Sequence, residues 1–462
     1  MGKNVILIYL DSLRKDHVGA YGNDWIQTPN LDAFYRESVS FTQAYPESLA
    51  TLPVRRSTMT GNRVYPFKDW KTTIGEFIHA PGWQPLRDTD ITISEIFYES
   101  GYRTAFITDV YHMFKPSMNF HRGFREWRFF RGQELDTYDC STIDFDHDHY
   151  ITPQMKGKVS ESQIKQYLAN VRNRKGEEDH FGPLVFQESM DWLDRNKGAE
   201  NFYLHIDCFD PHEPWDPPKK YWSLYDDPEY TGRQIICPEY NNPLDSMTER
   251  ELKHVRALYA GEVSMVDHWF GKFMDKLKAM GMDKDTMVVV LSDHGHPLGE
   301  HGIIRKNPIA MYPEQVDIFL MVRLPDGQGA GTQVDGYVYN HDLFTTMLNF
   351  TGVTIDYEVE GLDLMALKTK RDYATCAFKG VVWSKTDDYV YFSFMNGENA
   401  FLYDMKEDPG HFSNIAAEKP AVVKEMFGLA LEDGGGELPD YSHLQGQLGQ
   451  STFTTGLSEA KK

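Results

Sequence analysis

VILIYLDS, residues 5–12, is an apolar run that ends directly in an acidic and a hydroxyl residue. Residues 287–294, MVVVLSDH, repeat the arrangement and end in an acid followed by a histidine. Short apolar runs rich in β-branched residues are typical of strands that are buried on both faces of a parallel sheet. Functional residues in such sheets collect at the carboxyl ends of the strands, so we expect Asp11, Asp293 and His294 to lie at one edge.

The rest of the chain alternates strand-like and helix-like segments, which favours an α/β fold. Three more apolar runs predict short buried strands: 104–108, 202–206 and 318–322. Apolar residues at helical spacing, with charges on the opposite face, predict three amphipathic helices: 93–100, 184–195 and 249–280. Strand and helix in repetition imply a large mixed, mainly parallel sheet that is sandwiched by helices.

The length and a change of pattern near Asp363 predict a second, smaller unit. A single hydrophobic core stops growing near ~250–300 residues, and this chain has 462. Beyond Asp363 the sequence predicts two short strands and a helix: 380–384, 389–395 and 421–431. We therefore predict a large α/β domain over residues 1–365 and a C-terminal α+β subdomain over 366–462, with a loosely packed tail from Gly434.

The composition of the chain limits its partners. The formal net charge is -22, whereas neutralising the phosphates of a nucleic acid needs clustered Lys and Arg, so no nucleic-acid partner is expected. No run approaches the ~20 apolar residues that span a bilayer, and no small-residue cleavage site precedes Asp11, so we expect a soluble, cytoplasmic protein without a membrane partner. The four cysteines form no Cys-x-x-Cys pair, which argues against a zinc knuckle. The oligomeric state stays open.

The polar residues after the two strands have the chemistry of a metal site. Asp11, Asp293 and His294 supply hard oxygen and imidazole ligands from neighbouring strand ends, which suits a divalent cation. An Asp-His pair in a loop is also common as a turn with a solvated histidine, so the pair alone leaves both interpretations open. The buried apolar strand before it favours the metal.

Three further clusters have the chemistry of anion binding. Residues 51–61, TLPVRRSTMTG, join a hydroxyl to a proline and two arginines, which at a helix start would direct N–H groups and guanidinium forks at one oxyanion. The alternative is an ordinary N-capped helix whose arginines face solvent. His212 lies in the proline-restrained loop 210–215, where it can act as acid, base or anion donor, or be a simple surface residue. Arg305-Lys306 follows the Asp-His pair closely and adds cations at the same edge.

Taken in order, these blocks resemble the sulfatase family of the alkaline phosphatase superfamily. The resembling segments are YLDSLRKDHVGAYG (9–22), TPNLD (28–32), PVRRSTMTG (53–61), GYRTA (101–105), DPHEP (210–214), YAGEV (259–263), SDHG (292–295), LGEHG (298–302), LYD (402–404) and DPG (408–410). They cover nearly the whole chain in the family's order. The resemblance implies an alkaline phosphatase-like fold and the hydrolysis of a small anionic sulfate or phosphate ester.

The resemblance also implies the metal ligands. Asp11, Asp293 and His294 would bind one divalent metal, usually calcium in sulfatases and manganese or zinc in the phosphoesterase relatives. The family usually has two adjacent acids after the first strand, and here the second is Ser12. One ligand is therefore lost or replaced by a weaker hydroxyl. A second metal site has only three candidate ligands: Asp207, Asp210 and His341.

The remaining roles implied by the resemblance concern the anion. Arg55 would orient the nucleophile or bind the anion, and His212 and Lys306 would contact the non-bridging or leaving oxygens of the substrate. The family's usual Lys-x-His pair is absent near residues 109–112. His112 or Lys115 can fill part of that substrate-binding role after a one-residue shift.

The most consequential departure is Thr51, which stands where the family has the Cys or Ser that is converted to formylglycine. Oxidation of a threonine's secondary alcohol would yield a ketone, so the hydrated-aldehyde mechanism is not open to this chain. A Thr alkoxide activated by a metal is a nucleophile type for phosphoryl and phosphonyl transfer. The sequence thus predicts a metal-dependent hydrolase of a phosphoester or phosphonate ester through Thr51. A sulfatase without formylglycine and a non-catalytic anion-binding homologue remain alternatives.

Overall fold

The computed structural model describes residues 3–68, 70–71, 80–115, 117–240, 242–366 and 371–441. Its main element is a sheet of eight strands. The strands β1 to β8 are Asn4–Leu10, Val39–Tyr45, Arg103–Thr108, Glu126–Phe129, Phe202–Cys208, Thr286–Leu291, Ile318–Arg323 and Gln333–Tyr339. Their order across the sheet is β4-β3-β5-β1-β6-β7-β2-β8. Strand β7 runs antiparallel to both of its neighbours, and the other pairs are parallel.

The central strand β1 is buried on both faces. Its residues belong alternately to two large apolar clusters: Val5, Leu7 and Tyr9 to one, and Ile6, Ile8 and Leu10 to the other. Successive side chains of a strand point to opposite faces, so a continuous apolar run is required where both faces are covered.

Helices cover the two faces of the sheet. The helices α1 to α11 are Pro29–Arg36, Thr51–Thr60, Ile93–Glu99, His147–Tyr150, Val159–Val171, Phe181–Arg195, Lys219–Trp222, Glu249–Ala279, Pro313–Val316, Asp342–Thr351 and Pro420–Asp433. The long helix α8 packs against α1, α6 and α7. It begins at a capping box, in which Thr248 and Glu251 satisfy each other's backbone N–H groups.

The register of the central strands places their carboxyl ends side by side at the same edge of the sheet. Tyr9 of β1 lies opposite Asp207 of β5 on one side and Leu291 of β6 on the other. The backbone N–H of Asp11 donates to the carbonyl of Cys208 at 2.9 Å, which extends the pairing to the end of the strand. The residues that follow β1, β5 and β6 therefore share one edge of the sheet.

A second, antiparallel sheet lies in the C-terminal part of the chain. Its strands β9 to β12 are Ala374–Phe378, Val381–Lys385, Tyr389–Phe394 and Phe401–Asp404, in the order β12-β11-β10-β9. Helix α11 packs on this sheet. Its strand β9 touches the segment before Thr51, because the N–H of Leu49 donates to the carbonyl of Ala377 at 2.7 Å.

These elements confirm the predicted α/β fold with a mainly parallel sheet and a smaller C-terminal sheet. The domain boundary at residues 365–366 stays a prediction, and the tail beyond residue 441 lies outside the described residues. Strands β2, β4 and β8 were not predicted, because polar residues and a glycine interrupt their apolar pattern. Within the described ranges, no helix combines the length and the apolar character needed to cross a membrane.

Candidate active site

The loops after β1 and β6 bring Asp11, Ser12, Asp293 and His294 together. The backbone N–H groups of Ser12 and His294 both donate to Asp293 Oδ1, at 2.9 and 2.8 Å. The hydroxyl of Ser12 donates to Asp11 Oδ1 at 2.8 Å. Ser12 has a left-handed backbone, with φ 61°. The residue in place of the expected second acid therefore orients the carboxylate of Asp11 through a hydrogen bond.

The donor atoms of Asp11, Asp293 and His294 fit a divalent cation. One ligand atom from each lies within 4.8 Å of the others, and all three residues are buried. Nδ1 of His294 is 2.9 Å from the carbonyl of Gly295, so it carries the proton and leaves the lone pair on Nε2. That Nε2 is buried and has no hydrogen-bond partner among the described residues. A neutral imidazole held in this tautomer is the form that binds a metal.

The two carboxylates of this cluster carry opposite pKa shifts. Burial and the neighbouring Asp293 raise the pKa of Asp11 well above its usual value, against the lowering effect of Arg55 and Lys306. Burial also opposes the charge of Asp293, but Arg55 and His294 outweigh it and hold its pKa below the usual range. Burial lowers the pKa of His294 to about 4, which keeps the imidazole neutral. One carboxylate is thus firmly ionised, and a cation would favour ionisation of the other.

Arg55 is fully buried and lies against three carboxylates. Its Nε and Nη2 donate to the two oxygens of Asp207 at 3.0 and 2.7 Å, Nη2 also donates to Asp11 at 3.0 Å, and Nη1 pairs with Asp293. The guanidinium lies over the ring of Tyr9, 4.5 Å from its centroid. Of the five N–H groups of an arginine, four are used in these contacts. An anion would therefore meet the one remaining N–H, on Nη1.

Thr51 is the first residue of α2 and is almost fully buried. It lies one helical turn before Arg55, and residues four apart share a face of a helix, so Thr51 lies on the face of α2 that carries Arg55. At this end of α2 the N–H of Val54 donates to the carbonyl of Ala50, and Pro53 has no N–H. The backbone N–H groups of Thr51 and Leu52 therefore have no partner within the helix. The positive end of the helix dipole favours negative charge at the Thr51 oxygen.

His212 and Lys306 contact each other. Nζ of Lys306 meets Nε2 of His212, and because an ammonium has only donors, Nε2 accepts. Nδ1 of His212 therefore carries the proton and donates to the carbonyl of Glu213 at 2.6 Å. Burial, helped by the charge of Lys306, lowers the pKa of His212 to about 3. Because Lys306 also lowers the pKa of Asp11 and of His294, the two clusters lie in one neighbourhood.

The two candidates for the substrate-binding role, His112 and Lys115, lie in different surroundings. His112 is buried, and its ring is 5.8 Å from that of Phe209, which stacks on His212 at 4.0 Å. Lys115 lies over the ring of Tyr111, with Nζ 3.5 Å from the hydroxyl of Thr137. The structure thus brings His112 to the His212 side of the site, and the role of Lys115 stays a prediction.

The three candidates for a second metal site do not come together. Asp207 is paired with Arg55, and Asp210 accepts from the side chain of Gln133 at 2.9 Å and from the N–H of Gly182 at 3.0 Å. His341 stacks on a tyrosine ring at the start of α10. Over the described ranges, the single group of three potential ligands is the one after β1 and β6.

Sequence reasoning missed the residues that support His212 and Lys306. Glu213 is fully buried and pairs with Arg305, whose Nε and Nη2 lie 2.7 and 2.5 Å from Oε1. These two residues are 92 positions apart. A single sequence gives no signal for such a pair, although the run of prolines around Glu213 does indicate a rigid loop.

Two family models match the chain. The family model described as Sulfatase matches residues 3–353. A second model, described as N-sulphoglucosamine sulphohydrolase, C-terminal, matches residues 299–429. The first match covers both strand-end loops and helix α2, and the second covers the small sheet.

The similar proteins include a sulfatase and a phosphonate monoester hydrolase. An arylsulfatase from Clostridium perfringens is 27% identical over 474 residues, covering 90% of each chain. A multifunctional alkaline phosphatase superfamily protein, PehA from Trinickia caryophylli, is 22% identical, covering 93% of this chain and 94% of its own. Among solved structures, the phosphonate monoester hydrolase of Agrobacterium radiobacter shares the fold with a TM-score of 0.70 at 20% identity, covering 94% of this chain and 95% of that one.

Proposed function

The chain belongs to the sulfatase family, and we propose that it is a metal-dependent hydrolase that cleaves a small anionic phosphoester or phosphonate ester through Thr51. The observation that carries the proposal is the position of Thr51, at the start of α2 and one turn before Arg55, which contacts the carboxylates of Asp11 and Asp293. A hydroxyl on this face of α2 would lie toward both the cation ligands and the anion-binding residues.

The side chain of Thr51 favours phosphorus over sulfur as the reacting centre. A sulfated threonine has no hemiacetal from which sulfate can be expelled, so its release would need water to attack sulfur directly. A phosphorylated or phosphonylated threonine is released by attack at phosphorus, which is the ordinary second half of a double displacement. Threonine is therefore better suited to phosphorus esters than to sulfate esters.

Asp11, Asp293 and His294 would hold the cation, which is calcium, manganese or zinc. When bound, the cation would stabilise negative charge on the hydroxyl oxygen of Thr51 and on the ester oxygens. Two carboxylates and a neutral imidazole balance the charge of one divalent ion. Because Ser12 replaces a third acid, less negative charge faces the arriving anion than with two adjacent acids.

His212 and Lys306 would bind the ester oxygens on the other side. The ammonium of Lys306 donates to Nε2 of His212, and its other N–H groups can donate a hydrogen bond to a non-bridging oxygen or a proton to the leaving oxygen. Arg55 would keep the carboxylates in place and offer its remaining N–H. In a protein of net charge -22, these local cations are what attracts an anion.

A second candidate function is the hydrolysis of a sulfate ester without formylglycine. It is favoured by the match to the sulfatase family model and by the arylsulfatase relative. The same anion pocket would serve it, since sulfate and phosphate esters share tetrahedral geometry. The release of sulfate from Thr51 is the step that distinguishes the two candidates.

A substrate panel tests the proposal. Aryl phosphate monoesters, phosphodiesters, phosphonate monoesters and sulfates would be assayed with calcium, manganese and zinc in turn. We expect a phosphodiester or a phosphonate monoester to be hydrolysed with a kcat/KM at least about 100-fold above that of the sulfate. Hydrolysis of the sulfate alone would establish the second candidate. Binding of inorganic sulfate without turnover of any ester would identify a non-catalytic anion-binding homologue.

A further inference from the structure

We propose that Glu213, held by Arg305, is a positioning residue that fixes the His212–Lys306 pair for the transition state of ester cleavage. The inference rests on the proposed function and concerns the support of the same anion site. Glu213 follows His212 in the chain, and Arg305 precedes Lys306. The dipeptide 212–213 therefore pairs with the dipeptide 305–306: His212 contacts Lys306, and Glu213 contacts Arg305.

The two oxygens of Glu213 have different surroundings. Oε1 accepts a hydrogen bond from Nε of Arg305 at 2.7 Å and lies 2.5 Å from Nη2 of the same guanidinium as an ion pair. Oε2 faces Nδ1 of His212 at 3.4 Å, Nδ1 of His296 at 3.6 Å and Nζ of Lys306 at 3.8 Å. It is buried without a hydrogen-bond partner among the described residues. The carboxylate thus places one negative oxygen behind both members of the anion-binding pair.

Arg305 is itself fixed from several directions. Its Nη1 donates to Gln163 at 3.1 Å and to the carbonyl of Pro238 at 2.9 Å, and its guanidinium lies over Tyr240, 3.7 Å from the ring centroid. Its backbone is left-handed, with φ 64°, which for a non-glycine residue costs free energy and persists only where the surroundings impose it. Because the guanidinium is fixed and pairs with Glu213, it also fixes the carboxylate of Glu213.

The backbone of Glu213 adds a second constraint on His212. Its carbonyl accepts from Nδ1 of His212 at 2.6 Å, which sets the tautomer and the orientation of the ring. The ring also stacks on Phe209 at 4.0 Å. The imidazole is therefore held by its neighbour's backbone, by the carboxylate and by an aromatic face, while Nε2 is directed at Lys306. Such support is characteristic of groups that must meet a transition state in one geometry.

A positioning role predicts unequal effects on two anions. Orthovanadate adopts the five-coordinate geometry of phosphoryl transfer, whereas inorganic sulfate resembles the ground state. Interactions set for the transition state are stronger with the first than with the second. If Glu213 acted only as a nearby negative charge, its removal would tighten the binding of both anions. If it positions the pair, its removal weakens vanadate selectively.

The test compares Glu213→Gln with the double variant Glu213→Gln/Arg305→Met, in the full chain with its cation. The double variant removes both charges, so neither is left buried without a partner. We expect the vanadate Kd of both variants to rise about 10-fold or more and the sulfate Kd to change less than about 3-fold. Glu262→Gln is the matched control, because Glu262 is also buried but accepts from the N–H of Asp216 instead. Its two Kd values are expected to equal those of the wild type.

The outcomes separate this inference from the proposed function. Wild-type vanadate affinity in the double variant, or an equal loss in Glu262→Gln, would overturn the positioning role. If circular dichroism shows that Glu213→Gln does not fold, the double variant alone decides the question. If neither variant folds while Glu262→Gln does, the Glu213–Arg305 pair is structural and the inference fails. Both anions are measured by binding, so an enzyme that cleaves none of the panel esters would refute the proposed function and still decide this question.

Discussion

Arg55 and Asp207 form a two-point ion pair, with Nε 3.0 Å from Oδ2 and Nη2 2.7 Å from Oδ1, and both side chains are fully buried. The pair fixes the plane of the guanidinium and so directs its remaining nitrogen at Asp293. Asp207 lies near the carboxyl end of β5, the strand beside β1, so the pair links helix α2 to the centre of the sheet. The position of Thr51, on the same helix, depends on this link.

Asp207→Asn is expected to disturb the cation site without removing a ligand. Without the charge of Asp207, Arg55 would pair more strongly with Asp11 and Asp293, which the cation needs. We expect the affinity for the activating cation to fall about 10- to 100-fold, as measured by calorimetry. Asp342→Asn is the matched control, since the buried Asp342 makes a two-point pair with the half-buried Arg371, with both contacts at 2.7 Å. An equal loss of cation affinity in the control would contradict this prediction.

The cation site itself predicts stabilisation by metal. A cation that binds only the folded state adds about 2.7 kcal/mol to the free energy of unfolding at 100 times its Kd. Calcium, manganese or zinc should therefore raise the Tm of the wild type, and Asp293→Asn should abolish the rise. Asp109→Asn should retain it, because Asp109 is a buried carboxylate held by Gln133 and Phe209 instead. A rise that persists in Asp293→Asn would place the cation elsewhere.

Acid should destabilise the fold through His341. Burial, helped by the charges of Arg63 and Arg371 and opposed by Asp342, lowers its pKa from 6.5 to about 3. A histidine with a lowered pKa stabilises the fold above its unfolded pKa and loses that contribution as pH falls toward the folded value. Between pH 7 and pH 5 the loss is about 2 kcal/mol.

The measurement is urea unfolding of the wild type and His341→Gln at both pH values. The glutamine variant should lose about 2 kcal/mol less than the wild type over this interval. The ring of Tyr339, which stacks on His341 with centroids 5.1 Å apart, is common to both proteins. The contributions of the other buried histidines are common to both proteins and cancel in the difference. Parallel losses in the two proteins would show that His341 is not buried in its neutral form.

Thr51→Cys tests the substrate class. The change creates Cys-Leu-Pro-Val-Arg, which resembles the sequence that formylglycine-forming enzymes modify, although Val54 stands where Ser or Ala is common. Coexpression with such an enzyme should lower phosphodiesterase and phosphonate hydrolase activity and raise aryl sulfatase activity. Mass spectrometry would report conversion of the cysteine. A converted variant without sulfatase activity would mean that more than residue 51 separates this chain from sulfate chemistry.

The large sheet could be predicted from sequence because its central strands are buried on both faces. Continuous apolar runs form β1, from Val5 to Leu10, and β6, from Met287 to Leu291. Such runs are typical of strands that are covered on both faces of a parallel sheet. Strand β8, with the sequence QVDGYVY, has an exposed first half at the sheet edge and so lacks that pattern. Its place beside β2 is set by tertiary pairing, which local sequence does not contain.

The candidate site could be predicted where its residues follow strands, and not where long-range pairs fix them. Asp11, Asp293 and His294 were found because the carboxyl ends of parallel strands meet at one edge. Arg55 pairs with Asp207 and Asp293, 152 and 238 residues away, and Glu213 pairs with Arg305, 92 residues away. Asp207 was one of three candidate ligands for a second metal, and it pairs with Arg55. The sequence shows that both residues are charged, but only the fold shows that they meet.

The turnover of Thr51→Ala tests the central claim most directly. The variant would be assayed with the best ester of the panel and the cation that supports the wild type, after circular dichroism has confirmed its fold. If Thr51 is the nucleophile, kcat should fall at least about 1,000-fold, since the covalent step is lost while the cation and anion sites remain. A kcat equal to that of the wild type would contradict the account, because the ester would then be cleaved without the hydroxyl at the start of α2.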